Sequence, residues 1–327
     1  MNQMLKWTSM RRRPLLALAA ASLAAPLRAQ SNWPDKPLRI IVPFAPGGPP
    51  DVVARLIQPR LGELLGQAVV IDNRAGAGGN IGAQAVAKSA PDGNTLLITS
   101  SALVVNTHFA ESGYNAERDF APITIVATQP NVIVAHPSLN VRNLAEVIAM
   151  AKSTPMAFAT PGSGTTPHLT IENLFNIANK LNMTPIHYRG AGLAVGAVVG
   201  GEPKLGCMAM TAPLQNIKGG KLRALAVSSA KRLAILPDVP TLAELGYPDM
   251  LDYTWVGAFL PAGTSPAIQA RWYDALSKAL TSADVKEKLQ GMAFDALLDP
   301  PAKTGEYLRG EIGRWGQVVK QIGYKPE

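Results

Sequence analysis

Short apolar runs alternate along this chain with stretches in which apolar residues recur every three or four positions. Glycine and proline punctuate the boundaries. Residues 38–44 (Leu-Arg-Ile-Ile-Val-Pro-Phe) form a strand-type run that stops at Ala45-Pro46-Gly47-Gly48-Pro49-Pro50. Val52, Val53, Leu56, Ile57 and Leu61 then fall on one helical face. The same reading predicts strands at 68–71, 95–99, 123–127, 132–135, 156–160, 184–188, 222–227 and 254–260. Gln129-Pro130-Asn131 separates the third and fourth of these. Helical patterns cover 81–88, 144–151, 168–179, 193–199, 266–280, 283–289 and 301–322. Strand, glycine turn and helix in repeated succession predict an α/β architecture with a mainly parallel sheet.

Composition narrows this picture. With 327 residues, 47% of them apolar and 17% charged, the chain can bury two domain cores and is not disordered. Aromatics at 6% argue against a sugar-stacking groove. The net charge of +8 comes largely from one end: Lys6, Arg11, Arg12, Arg13 and Arg28 lie in the first 29 residues, which hold no acid. Without them 26 basic residues face 23 acidic ones, a net +3. That gives no basic stripe, so no nucleic-acid partner is expected. The triple arginine, the uncharged run at 15–25 and the small residues before Gln30 follow the plan of a secretory signal peptide over residues 1–29. The run is shorter than the ~20 residues of a spanning helix. Cys207 is the only cysteine, so an intramolecular disulfide is impossible. Export without disulfides suits a bacterial periplasm.

Two strand-to-helix turns stand out, at 44–51 and 160–168. Glycine lets a ligand approach the backbone, and a helix start offers N–H donors, so each turn is a candidate anion site. Catalytic signatures fail by comparison. Gly76-Ala77-Gly78-Gly79 needs a further glycine at Ile81 to bind a dinucleotide. Pro161 and Thr165 break a nucleophile-elbow reading of Gly162-Ser163-Gly164. His108, His136, His168 and His187 sit in no recognised motif. No enzyme activity, cofactor or metal is expected.

The stretches WPDKPLRIIVPFAPGG (33–48), DNRAGAGGNIGAQAVAKSAPDGNTLL (72–97), GSGTTPHL (162–169), GGKLRALAVSSAKR (219–232), LPDVPTLAELGYP (236–248) and FLPAGTSP (259–266) occur in order along the chain. In these it resembles the extracytoplasmic solute receptors of the tripartite tricarboxylate transporter family, the TctC or Bug proteins, from Trp33 to about Lys320. The resemblance implies a type II-like, Venus-flytrap periplasmic binding protein with a ligand cleft between two α/β domains. Domain one would be residues 31–130 with 255–327, and domain two residues 131–254. A small carboxylate (a di- or tricarboxylate, an amino acid or an aromatic acid) would be held by Phe44, Ala45, Pro46, Gly47, Gly48 and Asp51 of the first turn. Gly162, Ser163, Gly164, Thr165, Thr166 and His168 would face it from the second. Ser100 and Ser101 would add a cleft-facing turn, and Tyr188, Arg189 and Gly190 another. Relatives often carry Phe-Asp or a similar polar pair where Cys207-Met208 stands; Met208 would make that wall more apolar, with Cys207 bordering the cleft. The implied partner is the membrane part of a tripartite transporter, with a signalling protein as the alternative and an α/β hydrolase or transferase as the rival class. A monomer is expected.

Overall fold

The computed structural model describes residues 33–109 and 112–323; the signal peptide expected at 1–29 lies outside the described residues. Strand β1 (Leu38–Val42) pairs in parallel with β2 (Val69–Asn73) on one side and β3 (Thr95–Ser100) on the other. Helix α1 (Pro49–Leu65) connects β1 to β2, and α2 (Asn80–Ala87) connects β2 to β3. A short helix, α3 (Ala102–Val105), follows β3.

The sheet then turns antiparallel. Strand β4 (Phe120–Ala135) is one continuous sixteen-residue strand, where two strands around Pro130 were expected. Its first part pairs with β9 (Tyr253–Pro261), which also pairs with β3. Pro130 is the last residue opposite β9; from Asn131 the strand pairs instead with β7 (Leu205–Ala209) and β8 (Arg223–Val227). A proline has no N–H to lose, so it stands naturally where the ladder changes partners. Beyond β7 come β5 (Ala157–Thr160) and β6 (Thr184–His187), both parallel. Strand β10 (Asp295–Ala296) adds to the free side of β4. The parallel pairs therefore lie at the two outer parts of the sheet, and its centre is antiparallel.

Helices cover both faces. In the second half α4 (Leu144–Ala151) precedes β5, and α5 (Thr166–Glu172) follows it and continues as a π-helical turn through Ala178. Next come α6 (Ala191–Val199) and α7 (Leu214–Lys218). The C-terminal helices α8 (Pro266–Thr281), α9 (Ala283–Gly291) and α10 (Pro301–Ile322) pack on the first half. Trp272 of α8 and Leu289 of α9 join Ile40, Ile57 and Val256 in one core, while Trp315 of α10 joins Ile41, Leu97 and Trp255 in another. Neighbouring strand residues thus enter opposite cores, as a two-residue side-chain period requires. Double coverage explains why these strands read as unbroken apolar runs.

The same alternation corrects the expectation for β7. Cys207 enters the core of Ile133, Phe158 and Phe175, and Met208 enters that of Val132, Ala159 and Val198. Both side chains are wholly buried, so Cys207 does not border a cleft. Burial pushes its thiol well above the usual range, with the Asp252 carboxyl adding to the effect. Thiol reagents should leave Cys207 untouched in the native protein, with or without ligand, and label it stoichiometrically only in denaturant. Labelling of the native protein that falls on ligand binding would contradict this burial.

Candidate functional site

The two glycine turns meet where the sheet halves adjoin. Ala45 N–H donates to the Arg189 carbonyl at 2.9 Å, tying the first turn to the loop before α6. A Cβ on Gly190 would stand 3.0 Å from the Ala45 nitrogen, and one on Gly192 2.6 Å from the Pro46 carbonyl oxygen. Gly78 lies so close to the Ser163 carbonyl that a Cβ there would come within 2.2 Å of its oxygen. These approaches explain glycine at Gly78, Gly190 and Gly192 as packing demands.

A cavity open to solvent, with about 370 Å³ of empty space including the adjoining solvent, lies between the turns. Phe44, Gly48, Pro49 and Pro50 wall it from the first turn, and Pro161, Thr165, Thr166 and Pro167 from the second. Ser100, Ala191, Ala209 and Thr254 complete it. A neighbouring cavity, about 430 Å³ on the same measure, shares Phe44 and Pro161 and is lined by the glycine run 76–79, by Gly162 and Ser163, and by His187, Tyr188 and Arg189. Of the expected residues, Phe44, Gly48, Ser100, Thr165 and Thr166 thus line the first cavity. Gly162, Ser163, Tyr188 and Arg189 line the second.

The other expected residues line neither of these two cavities. Asp51 is buried and accepts from Gly47 N–H, from Arg55 Nε to both oxygens and from Asn73 Nδ2, all at 3.0 Å. Burial pushes its carboxyl up, but the bonds from Arg55, Gly47 and Asn73 outweigh this and hold it below the usual carboxylate range. It stabilises the turn and lines neither cavity. His168 is wholly buried and accepts from Gly164 N–H at 3.3 Å. Burial, reinforced by nearby His187, drives its pKa down to about 3, so it is a neutral acceptor that shapes the second turn. Ser101 is buried behind the wall, and Met208 belongs to the core. Ala45, Pro46, Gly47 and Gly190 shape the contact between the first turn and the start of α6, and Gly164 packs against Asn106 and Phe109. Gly48 is in ordinary extended conformation with room for a methyl group, so its value is not steric.

Polar groups in the first cavity are organised by one chain of hydroxyls. Ser101 Oγ donates to Thr166 Oγ1 at 3.3 Å, Thr166 and Thr254 hydroxyls lie 2.7 Å apart, and Thr254 donates to Asn131 Oδ1 at 2.8 Å. Asn131 and Thr254 sit on β4 and β9, the two strands at the partner exchange. Asn131 Nδ2 and Thr170 Oγ1 both donate to buried Asp252, at 2.8 and 2.7 Å. Thr254, Ala191 and Ala209 were not among the expected site residues. Ala191 could have been found as the residue after the Tyr188-Arg189-Gly190 turn, and Ala209 as the carboxyl end of a strand, had β7 been recognised. Gly76–Gly79, set aside as a failed nucleotide motif, proves to be wall.

The receptor model of the tripartite tricarboxylate transporter family, TctC, matches residues 53–324. Protein BugT of Bordetella pertussis is 39% identical over 313 residues, covering 94% of this chain and 95% of BugT. Among solved structures, the periplasmic binding protein BugD superposes with a TM-score of 0.87 at 30% identity, covering 90% of this chain and 100% of BugD. An R. palustris protein solved with adipate gives 0.85 at 32% identity, covering 90% of this chain and 100% of that one. The fold is that of the two-domain periplasmic binding proteins. Since the agreement runs along nearly the whole described chain in sequence and in shape, the chain belongs to the TctC, or Bug, family of solute receptors.

Proposed function

We propose that this receptor captures a small carboxylate in the cavity between the two glycine turns and delivers it to the membrane components of a tripartite transporter. The observation that carries the reading is that one cavity is walled by both turns, each following a parallel strand of a different sheet half. Ligands of open α/β sheets sit at such carboxyl ends. The adipate bound by the R. palustris relative supports the carboxylate class. We place the domain boundary at the partner exchange of β4, giving residues 31–130 with 255–327 as one domain and 131–254 as the other. Closure then bends the chain near Asn131 and Asp252. Residues 1–29 direct export to the periplasm and are removed in the process.

A ligand present at a hundred times its dissociation constant stabilises the native state by about 2.7 kcal/mol, which raises the melting temperature of domains this size by roughly 5–10 °C. In a melting screen of carboxylates, sugars and polyamines, carboxylates should give shifts of this size. Their amides and esters should not. Shifts from sugars or polyamines alone would refute the reading.

A further inference from the structure

The hydroxyl chain behind the ligand cavity has a direction, and that direction restricts what the wall can offer a ligand; the inference rests on the carboxylate reading above. Asn131 fixes the direction. It is buried and lines neither cavity. Its backbone is clamped to Ser228: its N–H donates to Ser228 Oγ at 2.9 Å, and its carbonyl accepts from Ser228 N–H at 3.0 Å. Its side chain has one permitted orientation. Nδ2 faces the Asp252 carboxyl at 2.8 Å and the Thr170 hydroxyl at 3.3 Å, so Oδ1 is turned toward Thr254. An amide oxygen only accepts, so the Thr254 proton is committed to it.

That commitment runs along the chain. With its proton spent, Thr254 can only accept from Thr166, 2.7 Å away. Thr166 in turn accepts from Ser101 Oγ at 3.3 Å. Thr165 Oγ1 has also given its proton, to the Gly162 carbonyl at 2.8 Å. All three threonines line the cavity, and what each hydroxyl has left for a ligand is a lone pair. The donors lie elsewhere on the wall. The backbone N–H groups of Gly48, Thr166 and Ala191 have no partner among the described residues, and they are available to the carboxylate. No acidic side chain lines the cavity, so an ammonium group beside the threonines would lack a counter-charge. The group that complements them is a neutral donor such as a hydroxyl.

We propose that Asn131 is a positioning residue for the ligand wall: it fixes Thr254 and Thr166 as acceptors, so that the receptor prefers a carboxylate carrying a neutral hydrogen-bond donor over the same acid without one.

The test is calorimetric titration of the mature protein with two matched sets: succinate, malate, fluorosuccinate and aspartate, then phenylacetate, mandelate and α-fluorophenylacetate. Fluorine is close to a hydroxyl in size and donates nothing. In the set that binds, the hydroxy acid should be about tenfold tighter than its plain and fluorinated partners, the scale of one hydrogen bond. Aspartate should also trail malate. Asn131→Leu frees the Thr254 proton to turn toward the cavity, and the preference for hydroxyl over fluorine should disappear. A purely structural role would weaken both acids alike and keep their ratio. Asn131→Asp retains an acceptor for Thr254 and should retain the preference. The ligand comparison on the parent protein stands whether or not either variant folds. Equal or tighter binding of the plain, fluorinated or amino acids, or failure of both malate and mandelate to bind, would overturn the acceptor wall. An unchanged ratio in Asn131→Leu would overturn the part given to Asn131. Each of these results leaves the carboxylate receptor standing if any acid binds; binding of sugars or polyamines in preference to every acid would overturn both.

Discussion

Gly78→Ala should weaken ligand binding on the order of a hundredfold, equivalent to ~2.7 kcal/mol, while leaving the unliganded protein folded. The new methyl group would stand 2.2 Å from the Ser163 carbonyl oxygen, well inside any real carbon contact. Neither side can yield easily. Gly78 is held by Asn106 Nδ2, which donates to its carbonyl at 3.1 Å. The Ser163 turn is pinned by Thr165, whose N–H and hydroxyl both reach Gly162 O. Since Gly78 and Ser163 belong to different sheet halves, separation of the halves relieves the clash, and separation opens the cavity. Gly78 also has φ +61°, so alanine carries a left-handed backbone cost of about 1 kcal/mol. That alone lowers the melting temperature by roughly 2–4 °C. Gly246→Ala is the matched control: φ is +92° and a Cβ there meets nothing within 4 Å. It should cost similar stability and leave the dissociation constant unchanged. Equal affinities for Gly78→Ala and the parent protein would show that the approach of the 76–79 glycine run to the second turn does not govern binding.

The second large effect concerns Asp252, whose carboxylate knots together the strands at the partner exchange. Replacing it with alanine removes the acceptor for Asn131 Nδ2 and Thr170 Oγ1 in a fully buried place, and should cost roughly 2–3 kcal/mol in urea unfolding. Asp252→Asn keeps an acceptor and should cost much less. The two carboxyl forms also separate by pH. Burial pushes the Asp252 carboxyl up; Arg314, 3.7 Å away, and the Thr170 bond offset this only in part, and Glu311 adds to the rise. The native state therefore holds this proton more tightly than the unfolded chain. Its contribution is fully present below the ordinary carboxylate value of 3.8 and is lost as pH rises through the elevated native value. The stability of Asp252→Asn relative to the parent should improve from pH 4 to pH 7.5. A gap that stays constant, or moves the other way, would mean that Arg314 keeps the carboxylate ionised.

Much of the architecture was legible because it depends on neighbours in the chain. The helices at 144–151 and 301–322 and the strand at 95–100 follow from periodicity within each segment. Both glycine turns could be located for the same reason: glycine and proline constrain their own backbone wherever they occur. Family membership was also readable, from ordered motifs along the chain. Strand β7 escaped detection because Leu-Gly-Cys-Met-Ala is buried on both faces and shows no alternation. The five residues of α7 are too few to display a helical period. Continuity of β4 through Pro130 depends on which strands lie beside it, and no local pattern encodes that.

At the site the division is sharper. From the residues alone came the two turns; Ser100 and the Tyr188-Arg189-Gly190 loop came from the family resemblance. Only the tertiary structure decided which of them share a cavity. It assigned Asp51 to Gly47, Arg55 and Asn73, buried His168 under the second turn and drew Met208 into the core. It also brought Thr254 against Thr166, 88 residues away in the chain. Backbone conformation is set by interactions over a few residues, so a sequence displays its turns. A cavity wall is set by long-range strand pairing and by which polar groups find partners first, and both exist only once the chain has folded.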